Sequence, residues 1–77
     1  MSESIDIEVV LALPGECLRR HIRLNTPASA AVALQASGLD RAYRERVGED
    51  TPPLGVYGRK IKPDYLLKSG DRLEIYR

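Results

Sequence analysis

The stretch IDIEVVLAL, Ile5 to Leu13, decides the fold. Ile5, Ile7, Val9, Leu11 and Leu13 fall in one phase of a period-two alternation, and Asp6, Glu8, Val10 and Ala12 fall in the other. Successive side chains of an extended chain point to opposite faces, so this is a strand with one dry and one wet face. Pro14-Gly15-Glu16 follows as a hairpin turn. Cys17 to Leu24 then reads as a second strand, with Leu18, Ile22 and Leu24 in one phase and Arg20 as the exception. Cys17, Arg19, His21 and Arg23 take the opposite phase. Antiparallel pairing sets Arg19 and Arg23 near Asp6 and Glu8, where opposite charges across a pair contribute a few tenths of a kcal/mol, up to about 1.

Beyond the hairpin the period changes. Thr26-Pro27 reads as a helix N-cap with proline at the first helical position, and Ser29 is a rival cap. Ala28 to Ser37 is rich in alanine, and Gly38 is a C-terminal stop. Ala30, Ala33, Leu34 and Ser37 share the face that packs on a sheet, leaving Val32 and Ala36 outward. From Leu39 to Pro53 the pattern fails, although Asp40 to Arg46 could extend a short helical piece through an Asp40–Arg44 pair. Gly48 to Pro53 reads as a loop. Leu54 to Tyr57 is a short strand ended by Gly58, and Arg59 to Lys62 another brief one. Pro63 to Leu67 reads as a single helical turn, Ser69-Gly70-Asp71 as a tight turn, and Arg72 to Arg77 as a closing strand with Leu73 and Ile75 inward.

This order of elements is that of an α+β β-grasp, a mixed sheet with one main helix packed across one face. The first and last strands, the two with the clearest alternation, lie parallel at its centre. With 77 residues and no linker or repeat, the chain is a single β-grasp domain over 1–77. Phe and Trp are absent, which predicts an aliphatic core. Twelve Lys and Arg against eleven Asp and Glu leave a net charge of +1, so no whole-molecule field points to nucleic acid or membrane. The apolar stretches are too short to span a bilayer, so no membrane insertion is expected. A lone cysteine excludes an internal disulfide, and its free thiol fits a reducing cytosol.

Four blocks together resemble the RnfH family of small bacterial ubiquitin-related β-grasp proteins. They are Ala12-Leu13-Pro14, Ala36-Ser37-Gly38-Leu39, Gly55-Val56-Tyr57-Gly58-Arg59, and Gly70-Asp71-Arg72-Leu73-Glu74-Ile75-Tyr76-Arg77. The last two are the specific ones. The chain departs from the family at Ala30, Ala31 and Val32, where acidic residues are common, and between Arg46 and Pro53, where apolar residues are usual. The resemblance implies a ubiquitin-like fold and a cytoplasmic location. It also implies a poorly assigned role: an association with an electron-transport operon or an antitoxin-like function.

No catalytic constellation accompanies the fold. Four residues of strand at about 3.3 Å each put Cys17 and His21 roughly 13 Å apart, too far for a nucleophile–base dyad. With one cysteine and one histidine a zinc site is not expected, and Gly58-Arg59-Lys60 lacks the spacing of a phosphate loop. Asp6, Glu8 and Glu74 share the wet face with Arg19, Arg23 and Arg72 and read as solvated ion pairs. Modifier or sulfur-carrier chemistry needs a mobile Gly-Gly tail, whereas the sequence stops inside its last strand at Tyr76-Arg77. That chemistry is expected only if such a tail follows.

A non-enzymatic module without a cofactor is therefore expected, working through a protein partner. Its surface is the wet sheet face, with Arg19, His21, Arg23, Tyr76 and Tyr57. The alternative is RNA or ribosome binding, in the manner of TGS domains, through Arg59, Lys60, Lys62 and Lys68. TGS domains close with a similar Gly-Asp-x-Leu-Glu-Ile pattern. The ordinary reading of that cationic run is a solvated loop.

Overall fold

The computed structural model describes residues 3–49 and 52–76. β1 (Ser4–Leu13) and β2 (Glu16–Asn25) form the hairpin, α1 (Ala30–Ser37) and α2 (Leu39–Val47) follow, and β3 (Leu54–Val56), β4 (Arg59–Ile61) and β5 (Arg72–Ile75) complete the sheet. Its order is β2-β1-β5-β3-β4. β1 and β5 are parallel and adjacent, with Val9 opposite Leu73 and Leu11 opposite Ile75, as the β-grasp reading requires. Ile5, Ile7, Val9 and Leu11 alternate buried along β1, and Leu73 and Ile75 continue that layer on β5.

The small face of α1 meets this layer through Ala30, Ala33 and Leu34, as its spacing predicts. Its start is set by Ser29 rather than Thr26. The Ser29 hydroxyl accepts the Val32 amide at 3.2 Å, whereas the Thr26 amide and hydroxyl both donate to the Glu3 carbonyl. The other two first-turn amides are met from a distance. Ala30 N–H donates to the Tyr65 carbonyl and Ala31 N–H to that of Pro63, each at 2.9 Å. Pro63 to Leu67 is accordingly a turn leading into extended chain, with Leu66 bridged to Ser29, and not the helical turn that its sequence suggests. Beyond the one turn bond from the Tyr65 amide to the Lys62 carbonyl, the segment's carbonyls satisfy orphan donors of α1.

Two further expectations are corrected. Leu39 to Val47 is a full helix, entered directly from the left-handed Gly38 that ends α1. Its Leu39 and Tyr43, one turn apart, are buried, and Val47 packs half-buried a turn further on. The core is consequently not wholly aliphatic: Tyr43 is its largest fully buried side chain, with its hydroxyl donating to Glu49 at 3.3 Å. Arg46 on the same helix pairs with Glu16 and ties α2 to the first hairpin.

Candidate functional site

One face of the sheet carries no helix, and its chemistry follows from register. Arg23 lies opposite Asp6 and pairs with it at 3.1 Å. Glu8 lies opposite His21 on one side and Arg72 on the other, and its partner is Arg72 at 2.8 Å. Arg19 faces Val10, so it does not pair with Asp6 or Glu8 as the alternation suggests. Cys17 and Glu8 hold its guanidinium above the usual range, Cys17 more strongly. Much of the face is thus neutralised within itself.

Glu74 has a different task. Its Oε1 accepts the Gly58 amide at 2.7 Å and the Tyr76 hydroxyl at 2.8 Å. That hydrogen bond, then desolvation, then the nearby carboxylate charge raise the Tyr76 phenol above its ordinary value of about 10. The Tyr76 ring lies across Gly55, the residue opposite Glu74 on β3. A Cβ on Gly55 would come within 2.6 Å of the ring's Cζ, so only glycine leaves room for the ring there.

Tyr57 and Gly58 form the two-residue turn between β3 and β4, both with positive φ (49° and 81°). This is the twist a tight hairpin needs, and it strains a tyrosine. The turn is pinned at two points, on β5 and just before it. Gly58 is held by Glu74, and the Tyr57 hydroxyl donates to the Gly70 carbonyl in the crossover that runs from β4 back to β5. That crossover is itself fastened to β1. Gly70 N–H donates to the Asp6 carbonyl at 2.8 Å, and the Lys68 amide donates to the Asp71 carboxylate at 2.8 Å.

Between the β3–β4 hairpin and the crossover opens a cleft of about 600 Å³. Arg59, Lys60, Lys62 and Lys68 line it with Tyr57 and Tyr65, and Asp64 and Asp71 stand in its wall outside ion-pair distance. Within the 4.0 Å that defines an ion pair, the described residues contain only Arg23–Asp6, Arg46–Glu16 and Arg72–Glu8. The four cations of the cleft therefore converge without a paired carboxylate. Tyr57 is 60% exposed and Tyr65 38% exposed. Tyr65 escapes a reading of the sequence because only the crossover's path brings it alongside β4.

The predicted residues form two groups. Arg19, His21 and Arg23 stand on β2 at one edge of the sheet, and Arg59 and Lys60 on β4 at the other. Four strand spacings, about 19 Å, separate these edges. Tyr76 lies between them beside β3, and Tyr57 belongs to the cleft rather than to the open face where the sequence reading put it. Cys17 and His21 are both exposed on β2, and among the described residues no group of three or more His, Cys, Asp or Glu could hold a metal ion. No described helix is long and apolar enough to cross a membrane.

A profile of the "RnfH family Ubiquitin" matches residues 5–77. Protein RnfH of Neisseria gonorrhoeae is 34% identical over 73 residues, covering 95% of this chain and 78% of the relative. Protein RnfH of Cronobacter sakazakii is 38% identical over 77 residues, covering 100% of this chain and 79% of the relative. Among solved structures, a protein designed de novo on the basis of ubiquitin superposes with a TM-score of 0.53 at 18% identity, covering 95% of this chain and 87% of the other. That likeness shows a ubiquitin-like fold. The chain belongs to the RnfH family.

Proposed function

We propose that this RnfH-family chain is a non-enzymatic, cytoplasmic binding module that docks an acidic surface of a partner protein in the cleft beside β4. The observation that carries this reading is the convergence of Arg59, Lys60, Lys62 and Lys68 without an ion-paired carboxylate among the described residues. On the open face, by contrast, Asp6 and Glu8 already neutralise Arg23 and Arg72. Unpaired, solvated cations attract an opposite surface at no desolvation cost beyond their own, and they set encounter rate and partner choice. At the opposite edge Arg23 is already neutralised by Asp6, with Arg19 and His21 exposed on the same strand.

The test compares the wild-type chain with a Lys62→Glu, Lys68→Glu variant as bait in native lysate. Both side chains are exposed, and folding is checked by circular dichroism. A protein captured by the wild type and lost from the variant supports the reading. Equal capture by both overturns it. A second reading, RNA or ribosome binding, draws on the exposed Tyr57 and Tyr65 among the same cations, since bases stack on such rings. Under it, RNA binding falls steeply with salt, and glutamine at Arg59, Lys60, Lys62 and Lys68 flattens the dependence.

A further inference from the structure

β4 ends the sheet on the side of the cleft. Because β3 and β4 are joined by a two-residue turn, the flanking pair Val56–Arg59 exchanges both backbone hydrogen bonds. The next pair, Gly55–Lys60, does not, and Leu54–Ile61 again does. The N–H and C=O of Lys60 therefore point away from β3 toward the free edge, and the N–H of Lys62 follows them two residues on. The Lys62 carbonyl is already taken, accepting the Tyr65 amide at 3.0 Å. The edge thus offers a short row of strand-pairing groups, flanked by the unpaired cations of the cleft.

We propose that an extended, acidic segment of the partner protein adds to β4 as a sixth strand. The proposal rests on the reading of the cleft as a protein-docking site and specifies how the partner is held. Charge selects the occupant. A second copy of this chain would bring Arg59, Lys60 and Lys62 against themselves, and like charges across a strand pair repel. Lysines on an edge strand ordinarily serve to prevent such self-pairing. An acidic strand turns the same residues from a barrier into a counter-charge. Strand addition supplies main-chain hydrogen bonds for affinity and leaves side chains of alternating phase for specificity. Carboxylates in one phase reach Lys60, and those in the other reach Arg59 and the cleft mouth. RNA fits this edge less well. It makes no use of a strand's backbone groups, whereas Asp64 and Asp71 in the cleft wall oppose phosphates and peptide carboxylates alike and do not separate the two occupants.

The experiment uses a fluorescein-labelled octapeptide alternating glutamate and valine, its binding followed by anisotropy. Saturable binding is expected, weakened about tenfold or more by Lys60→Glu with Lys62→Glu. Two further peptides carry N-methyl groups on alternate backbone amides, one set in each phase. Methylating the edge-facing set should weaken binding about tenfold, the value of a lost pair of hydrogen bonds. In complex with the unmethylated peptide, the Lys60 and Lys62 amides should become protected from hydrogen exchange. If neither methylated set weakens binding and those amides stay unprotected, the added strand is refuted while acidic docking stands. If the octapeptide does not bind, or binds regardless of Lys60 and Lys62, both fail. Binding of oligouridine in its place, through the same lysines, also overturns both and favours the RNA reading.

Discussion

Replacing Gly55 by alanine tests how the open face of the sheet is built. The added Cβ would lie 2.6 Å from Cζ of Tyr76, well inside contact distance, so one of the two must move. Gly55 is in the middle of β3 with partners on both sides, Glu74 and Lys60, and cannot shift alone. The ring lies on the uncovered face and can swing into solvent. It then abandons its cover of β3 and its hydrogen bond to Glu74. Overpacking of this kind costs about 1–3 kcal/mol, and the ring's freedom to leave places Gly55→Ala near the lower end, about 1 kcal/mol. In a domain of this size that lowers the melting temperature by about 4–8 °C.

The decisive measurement is the same substitution in a Tyr76→Ala background. With no ring to displace, alanine's smaller loss of backbone entropy dominates, and Gly55→Ala should stabilise by about 0.5–1 kcal/mol. Urea unfolding followed by far-ultraviolet circular dichroism gives both values. The reasoning is refuted if Gly55→Ala has the same effect in both backgrounds, because the glycine would then be required by the backbone and not by the ring.

Three further outcomes are expected. Ser29→Ala should lower stability by about 1 kcal/mol through loss of the α1 cap, while Thr26→Ala leaves the helical signal unchanged; the reverse ranking in circular dichroism and urea midpoints would contradict the cap assignment. Tyr43→Ala should cost about 3–5 kcal/mol, a large fraction of the stability of so small a domain, whereas Tyr43→Phe keeps the ring and stays folded. An unchanged urea midpoint for Tyr43→Ala would show that α2 does not seal the core. The Tyr76 phenol binds its proton more tightly in the folded chain than in the unfolded one, so its contribution to stability is complete below pH 10 and is lost as pH rises through its raised folded value. Tyrosinate absorbance should therefore show a late-titrating phenol in the folded chain that disappears in Tyr76→Phe.

How much of this was legible in the sequence depends on whether the determinant is local. Ile5 to Leu13 and Arg72 to Ile75 alternate because one face of each is buried along its length, and a period-two pattern reports that directly. The first hairpin was equally readable from Pro14-Gly15, while at the second the sequence marked the break at Gly58 but kept Tyr57 in the strand, where the structure has it in the turn. α2 was not, because its buried Leu39 and Tyr43 and half-buried Val47 are spaced a turn apart among Asp, Arg and Glu and make too thin a stripe to stand out. The choice between Ser29 and Thr26 depended on a hydrogen bond from Thr26 to Glu3, twenty-three residues away. Pro63-Asp64 carried a genuine helix-start signal that the amides of Ala30 and Ala31 overrode. At the candidate site, the sequence singled out Arg59, Lys60, Lys62 and Lys68 as a charge run. It could not show that the crossover folds Lys68 and Tyr65 back against β4, nor that no described carboxylate pairs with these four cations, because both depend on chain path.

The adjacency of β1 and β5 has a bearing on the birth of the molecule. Arg72 and Glu8, which meet across these strands, are separated by 64 residues of chain. During synthesis β1 and β2 can pair early, but the hydrophobic layer of β1 has no central neighbour until Arg72 to Ile75 have left the ribosome. Closing so long a loop must precede the contacts that reward it, which slows folding and leaves the nascent hairpin with an unclaimed edge. The domain can thus mature only after nearly all of its residues have emerged, and until then the same strand that later anchors the sheet is its principal risk of mispairing.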